Sequence, residues 1–404
     1  MTKFILKKNE IQNLHLKKNL KFKHLSMFNN IRSKLIEDID KTTKTESILN
    51  KNFKLNFKTK DLNKFKKFKN LAIIGMGGSI LGAEAIYQSL KKKIKKKVYF
   101  FDNLETQKIL DFKNKNKKKI LFIIISKSGN TIETLSNLFA LNIIEKNKKN
   151  IIIISEKKNN ILFEISKKFN LFFIEHNKNI GGRYSVLSEV GIVPAYLMGL
   201  NINLLRKNLS EHLFGNSNLY LKDSCVKLAN IFEQKKIKNL VFCNYAPQFE
   251  KFLFWCQQII AESLGKKNKG FFPIISNTPK DHHSLLQLYL DGPKDKIFYI
   301  FSLEETSNIK LITKKLINKA SFLNNKKIEE IKIAQKNALI KALKNKKIPF
   351  REFKIKKLSE ETLSELFSYY ILETIILGKL TNINPFDQPA VEKVKIFTKD
   401  LLKN

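Results

Sequence analysis

The stretch that most constrains this chain is Lys119–Thr134, KILFIIISKSGNTIET. Ile120–Ile125 is a short, isoleucine-rich apolar run without alternation, which reads as a strand buried on both faces. Such a strand belongs in a parallel sheet covered by helices above and below. The run stops at Ser126-Lys127-Ser128-Gly129-Asn130-Thr131, and Thr131-x-x-Thr134 then opens a helical pattern. A hydroxyl-rich turn between a buried strand and a helix start gathers backbone N–H groups, the positive helix end and short hydroxyl donors. That set suits a phosphate. The turn is no Walker A loop, because no Gly-Lys-Ser/Thr follows a Gly-x4 spacing. An ordinary strand-to-helix cap made from Ser and Thr is the other reading of the segment.

The same alternation recurs along the chain. Strands are expected at Leu71–Gly75, Val98–Phe101, Ile151–Ile154 and Leu171–Ile174, with helices between them, which defines βαβ units. A second cycle places strands at Asn239–Cys243, Phe271–Ile275, Lys296–Phe301 and Ile348–Ile355. Helices are expected at Ser224–Glu233, Phe249–Leu264, Ser284–Leu290 and Glu360–Leu380. With 404 residues, two successive α/β sandwiches are the natural division. We expect a helical N-terminal segment over 1–65, a first α/β domain over 66–215, a second over 216–380 and a helical tail over 381–404.

Charge and cysteine content limit the function classes. A net charge of +40 invites a nucleic-acid reading. Only four basic residues are Arg, however (Arg32, Arg183, Arg206 and Arg351), leaving 72 lysines spread over the whole chain. Specific readers of bases and phosphates rely on Arg forks, so no specific nucleic-acid partner is expected. No apolar run approaches the roughly 20 residues of a membrane helix, and Met1–Asn50 contains no signal-peptide core. The three cysteines, Cys225, Cys243 and Cys256, lack metal-ligand spacing and form no even set. They point to a reducing, cytoplasmic setting.

Five further places have chemistry to offer, each with a bland alternative. Gly77-Gly78-Ser79 follows a strand and opens a helix, so its backbone can approach a ligand; a plain tight turn would look the same. GMGGSILG (75–82) lacks the spacing of a dinucleotide fingerprint. Gly181-Gly182-Arg183 puts a fixed cation on a turn, suited to a developing oxyanion or simply solvated. Gln258 and Glu262 lie four apart on one helix face before Gly265, beside apolar Trp255, Ile259 and Leu264. Glu262 is thus a candidate general base or an ordinary surface acid. His283, four before Gln287, can pass a proton or cap a helix. Lys395 is a point-charge donor or one solvated lysine among many.

Taken together and in order, GMGGSILG (75–82), SKSGNTIET (126–134), GGRYSVLSEVG (181–191), QQIIAESLGK (257–266), DHHSLLQL (281–288) and FDQPAVEKVK (386–395) resemble the successive motifs of the glucose-6-phosphate isomerase (phosphoglucose isomerase) family. The resemblance implies two sugar-isomerase (SIS-type) three-layer αβα domains with parallel sheets. It also implies reversible conversion of glucose 6-phosphate to fructose 6-phosphate through a cis-enediol, with no metal and no organic cofactor. Carried over residue by residue, Ser126, Lys127, Ser128 and Thr131 match the phosphate loop, with Thr134 nearby and Gly78-Ser79 lining the sugar. Glu262 matches the base between C1 and C2. Gly182 and Arg183 match the turn that stabilises the enediolate. His283 and Lys395 match the ring-opening pair, and Gln258 and Gln388 match the substrate-contacting amides. The family further implies a homodimer in which His283 enters the partner's site. A phosphosugar sensor without turnover is the competing reading, but it would need only the phosphate loop.

Overall fold

The computed structural model describes residues 5–304, 309–313 and 318–403. The ends of the expected ranges 1–65 and 381–404, and two short stretches within 216–380, lie outside the described residues. Among the described residues, ten strands form two sheets. They are β1 (Ile5–Asn9), β2 (Asn70–Ile74), β3 (Lys97–Phe101), β4 (Ile120–Ile125), β5 (Ile151–Ser155), β6 (Phe172–Glu175), β7 (Asn239–Asn244), β8 (Phe272–Asn277), β9 (Lys296–Leu303) and β10 (Phe350–Ile355).

The first sheet has the order β3-β2-β4-β5-β6 and is parallel throughout. All six residues of β4 are buried, as an uninterrupted apolar run at the centre of a doubly covered sheet requires. The order reverses between β2 and β4, which are direct neighbours. The turns that follow them therefore open side by side at the carboxyl end of the sheet, where α/β folds hold their ligands.

The second sheet runs β1-β10-β9-β7-β8. It is parallel except for β1, which lies antiparallel on β10 from Ile5↔Ile355 to Asn9↔Arg351. The reading of the N-terminal segment as helical holds for Lys18–Ile39 but did not include this strand. Its five residues are too few for a periodicity to show, and only the open edge of β10 makes them a strand. The Glu360–Leu380 helix runs almost wholly buried. From it Glu373 pairs with Arg351, which is 0% exposed, at 2.8 Å.

The sheets are joined by helix packing between the Leu81–Leu90 helix, which follows β2, and the Glu250–Leu264 helix, which follows β7. An ion pair sits in this seam. Lys251 Nζ lies 3.2 Å from Glu84 Oε1 and 3.6 Å from Asp102 Oδ2. Burial pushes the Glu84 carboxyl up to about 7, and the neighbouring Asp102 adds to the shift. Between the ordinary value of 4.5 and about 7, the folded chain retains a proton that the unfolded chain has released. The contribution of this group to stability therefore falls as pH rises through that window. The urea midpoint of Glu84→Gln should depend less on pH between 5 and 7 than that of the parent chain. An equal slope in both would refute the assignment.

Candidate active site

Two glycine turns meet first. After β2, Gly77 adopts φ +54°, a conformation natural to glycine. The next residue is constrained by space instead. A Cβ on Gly78 would lie 2.4 Å from the carbonyl carbon and oxygen of Gly182 and 2.7 Å from the Arg183 nitrogen. The Gly75–Gly78 and Gly181–Arg183 turns are thus in direct backbone contact although about a hundred residues separate them. Ser185 Oγ donates to Gly182 O at 2.7 Å and lies 3.4 Å from Gly78 O, which closes this junction.

The hydroxyl turn after β4 forms beside it. Ser126 Oγ and Thr131 Oγ1 lie 2.8 Å apart, and Ser128 Oγ is 3.4 Å from Thr131 Oγ1. Gly129, at φ +70°, turns the chain, and its N–H donates to Ser126 Oγ at 3.1 Å. The helix that follows starts at Ile132, so three hydroxyls cluster at its amino end. Thr134 Oγ1, in the first turn, is buried without a hydrogen-bond partner among the described residues.

The charged centre is built around Arg183, which is 3% exposed. Its Nε donates to Ser263 Oγ at 2.7 Å and its Nη1 to Gln388 Oε1 at 2.6 Å. Its Nη2 donates to the Pro385 carbonyl at 2.6 Å and to the Asp387 carbonyl at 3.1 Å. Glu262 Oε1 lies 3.4 Å from Nη1. One guanidinium thus ties the Gly182 turn to the Glu250–Leu264 helix and to the segment before the C-terminal helix, Pro389–Leu401. Trp255, Ile259 and Leu264 face the core of that same helix, which leaves Gln258 and Glu262 on the cleft side. Gln258 Nε2 comes within 3.0 Å of the place a Gly77 side chain would take. Gln258 Oε1 and Glu262 Oε2 are buried acceptors with no partner among the described residues. Unpaired acceptors in a polar cleft are costly to keep unless a ligand or solvent donor meets them.

Gly78, Gly182, Arg183, Gln258, Glu262 and Gln388 are thus brought together, with Ser126, Ser128, Thr131 and Thr134 at the adjoining strand end and Ser79 closing the first turn. Three other predicted residues are placed differently. The Lys127 side chain turns along the wall, where its Nζ donates to the carbonyls of Lys178 and Ile180, each at 2.9 Å. His283 is exposed on the His282–Asp291 helix, while its neighbour His282 is engaged by Tyr245 Oη at 2.7 Å. Lys395 is exposed on the Pro389–Leu401 helix. Sequence reasoning missed Ser263 and Tyr184. Tyr184 Oη sits 2.9 Å from both Ser263 Oγ and the Pro385 carbonyl, and burial pushes its phenol up. Both directly follow a predicted residue and lie inside the GGRYSVLSEVG and QQIIAESLGK motifs, which was the signal available.

This is the sugar-isomerase type of α/β architecture. The structure of a hypothetical protein from Thermus thermophilus superposes with a TM-score of 0.81 at 23% identity, covering 96% of this chain and 97% of that one. A glucose-6-phosphate isomerase from Chlamydia trachomatis superposes at 0.69 and 18% identity, over 84% and 71% of the two chains. Residues 19–404 match the family model described as phosphoglucose isomerase. Among curated relatives, a probable glucose-6-phosphate isomerase of Methanococcus maripaludis is 34% identical over 91% of this chain and 87% of its own. The glucose-6-phosphate isomerase of Campylobacter jejuni is 33% identical over 83% and 86%. The chain belongs to the phosphoglucose isomerase family.

Proposed function

We propose that this chain interconverts glucose 6-phosphate and fructose 6-phosphate at the cleft between the Gly78 and Gly182 turns. The observation that carries this is the Arg183 guanidinium held between Glu262 and Gln388, with Glu262 Oε2 left unpaired beside it. The Ser126–Thr131 hydroxyls anchor the phosphate, and its binding energy holds C1 and C2 of the open-chain sugar against the carboxylate. Glu262 Oε2 takes the C2 proton of the aldose as the C2–H electron pair moves into the C1–C2 bond. The carbonyl oxygen gains the negative charge, giving a cis-enediolate. Arg183, already fixed by four other acceptors, stabilises that oxygen without reorganising. The O2 hydroxyl proton passes to O1, and as the O2 electrons close the C2 carbonyl the same carboxyl returns its proton to C1, giving the ketose. His283 and Lys395 open the sugar ring, His283 acting in the partner's site of a cytoplasmic homodimer. Apolar Val394, Phe397 and Leu401 are exposed on the Lys395 helix, a face a second copy would cover, which supports this reading.

The experiment is a coupled assay on fructose 6-phosphate with the parent chain and Arg183→Lys. Lysine keeps the charge but not the fork, and at such a bidentate position the change is not conservative. A fall in kcat of about tenfold is expected, against ~10²–10³ for full loss of an oxyanion donor. Unchanged kcat, or no turnover by the parent, would sink the assignment. Light scattering on the same preparation should give twice the 47.1 kDa chain mass. A monomer with full activity would exclude the shared site.

A further inference from the structure

Lys127 stands between Ser126 and Ser128 in the phosphate turn, yet its ammonium group is spent elsewhere. An ammonium offers three donors. Two go to the carbonyls of Lys178 and Ile180, and Glu156 Oε1 meets the charge 3.6 Å away. Glu156 is braced in turn, since its backbone N–H donates to the Lys127 carbonyl at 3.2 Å. Burial lowers the proton affinity of the amine, as partial withdrawal from solvent requires. The segment gripped by Lys127 leads directly into Gly181-Gly182-Arg183. It is fastened from its other side as well. Asn177 N–H donates to Glu189 Oε1 at 2.6 Å, and Thr45 Oγ1 donates to the Asn179 carbonyl at 2.7 Å. Ile180 itself is fully buried.

We propose that the Lys127 side chain is a positioning residue that clamps the phosphate turn to the 178–180 segment. Through that clamp, seating of the phosphate aligns the Arg183 turn. The inference rests on the site reading above. Phosphate recognition in the turn then falls to the Ser126, Ser128 and Thr131 hydroxyls and to backbone N–H groups, and the lysine acts at a distance on the guanidinium. A displacement of about 1 Å at a group that meets the transition state is enough to cost two orders in rate.

The test is Lys127→Met beside Lys127→Arg, with three readouts: kcat on fructose 6-phosphate, inhibition by inorganic phosphate, and affinity for a five-carbon aldonic acid 5-phosphate. The carboxylate of that acid imitates the enediolate oxygens. For Lys127→Met, kcat should fall ten- to hundredfold, and affinity for the aldonic phosphate should fall by a similar factor. Inorganic phosphate should inhibit within about twofold of the parent. Lys127→Arg, whose fork reaches the same two carbonyls, should recover most of the loss, and it serves alone if the methionine variant fails to fold. A tenfold or greater weakening of inorganic phosphate with kcat retained would make Lys127 a phosphate ligand and overturn the proposal. So would unchanged values throughout, or an arginine variant as impaired as the methionine one. Failure of the site reading shows separately, as full activity in Arg183→Lys. Phosphate binding is meanwhile measured by calorimetry without any turnover.

Discussion

Glu262→Gln is expected to lower kcat on fructose 6-phosphate by about three orders of magnitude with little change in KM. An amide fills the same volume and still offers an oxygen to Arg183, but it cannot accept the C1 proton of the ketose. General-base catalysis of this kind contributes roughly 10²–10⁴-fold. In the proposed site, substrate binding falls to the hydroxyl turn and to Gln258 and Gln388, so the loss is expected in the transition state alone. The variant should also stop exchange of a C1 hydrogen of fructose 6-phosphate with solvent, followed by magnetic resonance in heavy water. Turnover within tenfold of the parent, or exchange that continues, would remove Glu262 from the role of base.

The second large effect is expected at Gly78. Valine there places its Cβ 2.4 Å from the Gly182 carbonyl and 2.7 Å from the Arg183 nitrogen. Both atoms are backbone, so no side chain can swing aside, and the two turns must separate. Overpacking of this kind costs about 1–3 kcal/mol or more. The functional cost is larger, because the displaced turn carries Arg183 away from Glu262. A fall in kcat/KM of about two orders is expected, with a lowered urea midpoint. Gly181→Val serves as the comparison, since a Cβ there meets only the edge of Tyr184 at 3.3 Å. If Gly78→Val matched Gly181→Val in activity, the backbone junction would not be what aligns the site.

Much of the first sheet was legible because its strands are isoleucine-rich runs ended by turn residues, as at β4 and β5. The pairing of Gln258 with Glu262 followed from helical spacing alone. The buried state of Ser263 did not, since a serine after a glutamate has no pattern of its own. Strand β1 was missed because five residues carry too little periodicity and their partner lies some 340 positions away.

Local order, then, was determined by the sequence for every strand but β1, along with where phosphate-friendly turns interrupt the strands and which acids, amides and cations those turns and helices present. Distance was decided only by the tertiary structure. It set Gly78 against Gly182, Arg183 between Glu262 and Gln388, and the Lys127 amine on the carbonyls of Lys178 and Ile180. Periodicity reports how a residue relates to its near neighbours, whereas these contacts join parts of the chain tens to hundreds of residues apart. The Arg183 contacts reach from the first sheet's turns to the Glu250–Leu264 helix, which packs on the Leu81–Leu90 helix at the seam between the sheets.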